Sequence, residues 1–275
     1  MDLRPLLNKE GKLELSYSKI TNWQRCRMRW FYTYRHNLTA RGKTQPLMTG
    51  DVVHRLREDY LNGEFGPEEM KNLVAYVTEI YPDEDPGLIA AVAIESGTLI
   101  NSYIQRYDTD SVQIISPEVH LEKDFGKFIL YTRIDGLATV EGTSGLWREE
   151  LKTTSRTDSA YLGGLRKGLQ TGIAIWLMEE LFFEDKIMGT VFTQIVKKKF
   201  PETKSQPHRT VRHTVEMAKE VVQNEAEEML EGKIWRSGDC FQWNRECSFM
   251  MLCKGDDTEK NREMFYQPYK TLEEA

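Results

Sequence analysis

Cysteine is scarce in this chain, four among 275 residues, too few to staple a scaffold of that length with disulfides. Long apolar runs are missing too: no window approaches the roughly 18–20 consecutive apolar residues of a membrane span. The opening stretch MDLRPLLNKEGKLEL lacks the apolar core of a signal peptide. The expectation is therefore a soluble protein of the cytoplasm (the host's, if the chain is viral) with no membrane partner. There is no internal repeat, no low-complexity tract and no Pro/Gly/Ser linker, which favours one domain over residues 1–275. An excess of basic charge is also lacking. The net charge of −6 and a pI near 5.6 argue against a simple basic DNA-coating protein. They leave room for an enzyme whose carboxylates hold metal and whose basic residues act locally.

What the chain does have is material for a core, with 40% hydrophobic and 11% aromatic residues. Ser18 is placed to cap a helix from about 19 to 34, with Ile20, Trp23, Met28, Trp30, Phe31 and Tyr34 at roughly helical spacing. RGKTQP (41–46) reads as a loop and 48–61 resumes a helical period. NGEFGPEE breaks it, and helices return at about 67–80 and, past the YPDEDPG loop, at about 88–107. Beyond Pro117 the period changes. FILYTRIDGLATVE (128–141) alternates as a strand does, GTSG supplies a turn, and LWREELK (146–152) alternates again. PEVHLEKDF (117–125) reads as a preceding strand. A glycine-punctuated helix at about 160–183, a strand at 189–199 and an amphipathic helix at about 214–232 follow. The fold class is α/β: a central mixed β-sheet flanked by helices, with an N-terminal helical elaboration, a helical insertion at about 55–112 and a core at about 113–200. The C-terminal helix and a cysteine cluster occupy 213–255.

The hairpin carries the sharpest chemical signal. Glu150 and Lys152, two apart on a strand, share one face, and a turn centred near residue 143 puts Asp135 almost opposite residue 151. Two carboxylates and a main-chain carbonyl make an oxygen-rich site for Mg²⁺ or Mn²⁺. A neighbouring ammonium can orient water and stabilise charge on a phosphate, a combination suited to metal-assisted phosphodiester hydrolysis. Taken alone, the same residues also describe an edge hairpin with solvated charges. His54, followed by Arg55 on an amphipathic helix, reads equally as a surface or core histidine.

The motifs stand in series. T-G-D-V-V-H-R-L (49–56) precedes the hairpin, R-I-D-G and E-L-K-T lie on its strands, and L-Q-T-G-I-A-I-W-L (169–177) follows. S-Y-S (16–18) and C-R-M-R-W-F-Y (26–32) stand near the N-terminus. In this order they resemble the PD-(D/E)xK nuclease superfamily, in particular its RecB-like branch with a restriction-endonuclease-like core. The resemblance implies that His54, Asp135 and Glu150 ligate a divalent metal together with the Leu151 carbonyl. It also implies that Lys152 is the catalytic lysine and that Gln170 touches DNA or positions the lysine. Glu118 occupies a place where relatives carry an accessory acid, with Glu122 an equal candidate on spacing. Ala174 departs from the family pattern, in which a tyrosine follows the glutamine by four.

The cysteines fit the same resemblance. Cys26 stands in the N-terminal motif, and Cys240, Cys247 and Cys253 cluster in the tail. Iron–sulfur members of the branch, similar to AddB-type and CRISPR-adaptation nucleases, clasp a 4Fe–4S cluster in this arrangement. The x6 spacing between Cys240 and Cys247 departs from them, and Zn²⁺ or no metal remains open. The role would be a structural clasp. The function implied is a Mg²⁺- or Mn²⁺-dependent DNA exonuclease acting on single strands or ends. The alternatives are a non-catalytic nuclease-like binding protein and an RNA-directed nuclease; a protein partner or a homo-oligomer is left open. Candidate contacts for nucleic acid are Arg25, Arg27 and Arg29 interleaved with Trp23, Trp30 and Tyr34, then Arg166 and Lys167, and Lys197 to Lys199.

Overall fold

The computed structural model describes residues 7–107, 110–237, 240–242 and 245–269. In chain order the elements are β1 (Leu13–Leu15), α1 (Tyr17–Arg25), α2 (Arg27–Trp30), a π-helical turn (Phe31–Arg35), β2 (Leu38–Ala40), α3 (Gln45–Leu61), α4 (Pro67–Lys71), α5 (Leu73–Ile80) and α6 (Pro86–Tyr107). Then come β3 (Val112–Asp124), β4 (Phe128–Val140), β5 (Leu146–Thr154), α7 (Ser159–Arg166), α8 (Leu169–Leu181), β6 (Ile187–Val196), β7 (Glu202–Arg209) and α9 (Arg212–Glu231). The tail holds β8 (Phe241–Gln242), β9 (Arg245–Glu246), α10 (Met250–Lys254), α11 (Glu259–Phe265) and β10 (Tyr266–Pro268). Contacts divide the chain into two compact units, one of Lys43–Leu121 with Thr132–Ala218, the other of Met1–Gly42, Glu122–Tyr131 and Lys219–Ala275.

The larger unit is a mixed sheet flanked by helices. β4 and β5 form the expected hairpin, with Gly136 opposite Glu149 and Ala138 opposite Trp147. β5 and β6 run parallel, pairing Lys152 with Gln194, and β7 returns antiparallel beside β6. β3 pairs with β4 off this path. Residues alternate along β5, so Leu151 faces one way, into a core with Val52, Val53 and Leu56 of α3 and Leu99 and Ile100 of α6. Arg148, Glu150 and Lys152 face the other. On that second side α8 approaches the start of α9 so closely that a Cβ on Gly172 would lie 2.5 Å from the Thr214 carbonyl oxygen.

Several boundaries differ from the sequence expectation for physical reasons. α3 begins inside the expected loop, because Pro46 in its first turn is pre-set for a helix start. The helix expected at about 160–183 breaks at Lys167–Gly168. β7 has no counterpart in the sequence reading, since its residues ETKSQPHR are polar and hold a proline. By length and composition α6 is apolar enough to cross a membrane, with an 18-residue window of mean hydropathy 1.3. No long consecutive run betrays this, because Glu95 and Asn101 interrupt the apolar residues, and α6 packs Val92, Leu99 and Ile100 into the core with α3 and α5.

In the smaller unit the single N-terminal helix expected from Lys19 to Tyr34 is two helices and a π turn. Ser16, and not Ser18, caps α1 by accepting from the Lys19 amide at 3.3 Å. The helix stops at Cys26, whose backbone is extended (φ −165°, ψ 117°). β1 runs parallel to the Phe128–Leu130 end of β4. The tail returns to this region through the β2–β10 ladder and a column of rings, Tyr32 on Phe249 at 5.4 Å and Phe249 on Tyr266 at 5.4 Å.

Candidate active site

The larger unit gathers most of the singled-out residues at the end of the hairpin. The β4–β5 ladder is paired as far as Gly136, and there the Asp135 carboxylate takes over as acceptor, receiving the Leu151 amide at 2.7 Å. The register sets Asp135 beside Glu150, one residue from the expected position. His54 enters from α3, with Nδ1 3.5 Å from Asp135 Oδ1 and 3.9 Å from Glu118 Oε1. One ligand atom from each of His54, Glu118 and Asp135 lies within 4.8 Å of the others, an arrangement that can hold a cation. Glu118 adopts φ +47° in the interior of β3. A non-glycine residue in that region carries about 1–3 kcal/mol of strain. Arg133 Nε holds its other oxygen at 2.9 Å. Glu122 is exposed and stands outside the group.

Glu150 is buried and engaged otherwise, its carboxylate paired with Arg148 and with Lys152. Arg148 is itself 1% exposed and donates through Nη1 to Thr171 Oγ1 on α8 at 3.3 Å. A second buried pair backs the site. Arg57, one turn beyond His54 on α3, pairs with Glu149 and donates to the Asp135 carbonyl at 2.5 Å. The glycine of R-I-D-G makes room for it, since a Cβ on Gly136 would lie 3.1 Å from both Arg57 Nη2 and Glu149 Oε2. Leu151 supplies its amide to Asp135 and its side chain to the core.

The electrostatics follow from burial and partners. Burial alone would raise Asp135, yet His54, Lys152 and Arg57 outweigh it and hold the carboxyl below its ordinary range. Burial would lower His54, and Asp135 and Glu118 reverse the direction and raise it. Loss of water pushes the Arg148 guanidinium down to about 10 against the pull of Asp135 and Glu149. Burial raises Glu149, with Arg57 opposing. A cluster of two carboxylates and an imidazole, faced by one ammonium, can bind a hard divalent cation and present a phosphodiester and a water to it.

The other candidates distribute differently. Gln170 is half-exposed at the second position of α8 and makes no side-chain hydrogen bond among the described residues. The proposed aromatic platform does not exist: Trp23 and Trp30 are 1% and 2% exposed and pack edge-to-face at 5.3 Å, so they are core. Arg27 lies over Trp23 and Trp235 and pairs with Glu228, while Arg29 donates to Asn22. Lys197 and Lys198 pair with Glu95 and Glu202. Cys26, Cys240, Cys247 and Cys253 all belong to the smaller unit as free thiols. Cys253 is pushed up to about 11 by burial and then by Cys247 and Cys26. Among the described residues, no three of the sulfurs come within 4.8 Å of one another.

Arg57, Glu149 and Arg148 were missed from sequence. The signal for Arg148 was available, because alternation in R-E-E-L-K puts it on the face of Glu150 and Lys152.

A family model described as the PD-(D/E)XK nuclease superfamily matches residues 14–254. Among solved structures, a candidate exonuclease from Eubacterium rectale is similar in fold, with a TM-score of 0.55 at 11% identity over 89% of this chain and 88% of that chain. The structure of SSO0001 overlaps only loosely, with a TM-score of 0.29 at 13% identity over 63% of this chain and 84% of that one. Among curated proteins there is no match.

Proposed function

The chain belongs to the PD-(D/E)XK nuclease superfamily, and from that membership we propose a divalent-metal-dependent DNA nuclease of the RecB-like branch. It acts as an exonuclease on single strands or DNA ends, in cytoplasmic repair, recombination or phage- and CRISPR-related DNA processing. The observation that carries the reading is the meeting of His54, Glu118 and Asp135 within 4.8 Å, on the splayed end of a hairpin whose neighbouring strand bears Glu150 and Lys152. Those three residues would hold Mg²⁺ or Mn²⁺, with Glu150 and the Leu151 carbonyl next in line. When bound, the cation supplies Lewis-acid polarisation of a phosphate oxygen and of water.

The chain's own residues do the rest. Lys152, anchored on Glu150, places an ammonium where it orients the attacking water and neutralises charge gathering on the phosphate. Arg148 fixes the Glu150 carboxylate from behind, and Arg57 fixes Asp135 through its carbonyl. Gln170, on the first turn of α8, contacts the nucleic acid. A cleavage assay on labelled single- and double-stranded DNA with Mg²⁺ or Mn²⁺ tests the reading. Wild type should cut, and Lys152→Ala should be slower by about 10²–10⁴-fold. If wild type cuts nothing, the protein is a nuclease-like binding protein; if both cut alike, the cleavage does not run through Lys152 and this mechanism falls.

The same proposal gives Cys26, Cys240, Cys247 and Cys253 a 4Fe–4S cluster, with zinc as the alternative. Its support is that all four thiols fall in one unit and that Cys253 feels the charge of the other three. A single zinc ion would need at least three of the sulfurs closer together than they stand here, whereas in a 4Fe–4S cluster each thiolate holds its own iron and the ligands are spaced more widely. Anaerobic preparation should give a brown protein with about four irons; a colourless zinc protein would favour the alternative.

A further inference from the structure

The two strands of the hairpin part beyond Gly136, and each side of the parting carries a cation. Ladder pairing ends at Gly136 and Glu149. Continued past that pair, the same register sets Asp135 opposite Glu150 and Arg133 opposite Lys152. Alternation puts Arg133 and Asp135 on one face of β4, away from the buried Thr132 and Ile134. It likewise puts Glu150 and Lys152 on one face of β5. The carboxylates of Asp135 and Glu150 therefore stand where the strands begin to part, with Lys152 on the β5 side and Arg133 on the β4 side.

Arg133 is held at one end and open at the other. Its Nε meets Glu118 Oε2 at 2.9 Å, and among the described residues its terminal nitrogens have no hydrogen bond or ion pair. The Arg133 side chain is 39% exposed while that of Glu118 is 6% exposed, so the pair has a buried end and a solvent end. Engaging a guanidinium through Nε alone leaves the planar Nη fork, whose geometry matches two oxygens of a phosphate. Glu118 accounts for the fixed end. Its left-handed backbone (φ +47°) persists only where the surroundings over-determine it. One of its oxygens lies 3.9 Å from His54 Nδ1 and the other is gripped by Arg133. The brace thus locks Arg133 beside the cation-holding group without using its fork, and a donor ordered in advance loses little freedom on binding.

We propose that Arg133 is a phosphate-contacting residue of this site: its Nε braces Glu118 while its Nη fork takes a phosphate of the substrate strand, on the side of the carboxylates opposite Lys152. The inference rests on the nuclease reading and adds a second cation to it, so that the strand is gripped from both sides of the carboxylates.

Arg133→Gln separates the two duties, because the amide still donates to Glu118 while the charge and the fork are gone. Binding of a labelled oligothymidine single strand, read by anisotropy in Ca²⁺ over a salt series, should weaken by at least about tenfold at low salt. The slope of log affinity against log salt should flatten by about 0.7, the value of one phosphate contact. In Mn²⁺, kcat/KM should fall mainly through KM. The half-saturating Mn²⁺ concentration should not rise, since losing a nearby cation removes repulsion of the metal. Arg133→Lys should restore the slope and only part of the affinity, because it returns the charge without the fork. An unchanged slope with a raised Mn²⁺ requirement makes Arg133 a brace for Glu118 alone and overturns the proposal. If wild type binds and cuts and Arg133→Gln matches it in slope and KM, the proposal falls while the nuclease reading stands. A wild type that neither binds nor cuts takes both down together.

Discussion

Arg57 and Glu149 are both fully buried, and each is tolerable only because of the other. Desolvating a charge costs several kcal/mol, and a close partner offsets most of that. Arg57→Met should therefore cost about 3–5 kcal/mol in denaturant unfolding, since it strands a buried carboxylate. The double change Arg57→Met, Glu149→Leu should return most of the loss, because apolar replacement of a whole pair is often close to neutral. If the double variant is no better than the single one, the contact to the Asp135 carbonyl is what matters. Asp51 offers a pH-dependent counterpart. Burial would raise it, but the Tyr81 hydroxyl, Lys43 and Arg55 outweigh burial and hold it below the ordinary carboxylate value. The native state thus binds that proton less tightly than the unfolded chain, so the stabilisation is present above about pH 4 and is lost as pH falls through the lowered value. Asp51→Asn should cost about 0.5–1 kcal/mol at neutral pH, the small figure reflecting a half-exposed group. The gap should close by about pH 2 when both are unfolded in urea across that range. At this scale Asp135, Glu150 and Lys152 were legible because strand alternation and a four-residue turn nearly fix their neighbourhood. Glu118 was legible only as one of two acids, since spacing cannot reveal a left-handed backbone. Arg57 was not legible, because arginine is read as solvent-facing unless the residue that pairs with it is known; Arg148 was placed by alternation on the face of Glu150 and Lys152, and only its burial was hidden.

Elements form here where pattern and packing agree, and the disagreements are instructive. β4 and β5 alternate cleanly and were placed within a residue or two at each end. β7 carries no apolar alternation; it exists because β6 offers it a ladder from Gly189 to Val196, a cause that lies outside its own residues. The break at Cys26 has no glycine or proline to announce it. Gly172 is different, since its meaning is readable only from the crossing of α8 with the start of α9. In an isolated helix, alanine would be favoured over glycine there by about 1 kcal/mol. Here the added Cβ would meet the Thr214 carbonyl oxygen at 2.5 Å and the Ala218 Cβ at 2.6 Å, and backbone cannot step aside as a side-chain tip can. Overpacking of that kind costs about 1–3 kcal/mol, which exceeds the propensity gain. Gly172→Ala should therefore lower the melting temperature, and an unchanged or raised value would mean that the two helices separate easily.

For the whole molecule, the net charge of −6 sets a condition on any contact with nucleic acid, because long-range repulsion must be overcome by a few local cations. The basic runs of the sequence suggest many such cations, and the fold removes most of them from the count. Arg27 is spent on Glu228, Lys197 on Glu95, Lys198 on Glu202 and Arg156 on Asp158. In the larger unit Lys199 lies against the exposed Phe200 on the loop after β6, and Lys152, itself paired with Glu150, stands at the carboxylates. Those strands lie side by side, with Lys152 paired to Gln194 and the Lys197 amide bonded to the Thr154 carbonyl at 2.8 Å. A single strand lying along that edge would meet an ammonium, an aromatic ring and a second ammonium in succession, the elements of sequence-tolerant binding. Some paired cations would exchange a carboxylate for a phosphate, so about three to four phosphate contacts are expected. With about −0.7 per contact for single strands, the logarithm of affinity should fall against the logarithm of salt with a slope near −2 to −3. Binding measured by anisotropy in Ca²⁺, to slow cleavage, reads this directly, and Lys199→Ala should flatten the slope by about 0.7. Phe200→Ala should weaken binding at every salt concentration without changing the slope, because stacking releases no counterions. A slope near zero would remove phosphate contact from the account. A slope twice as steep would place the strand on a broader basic face than this edge provides.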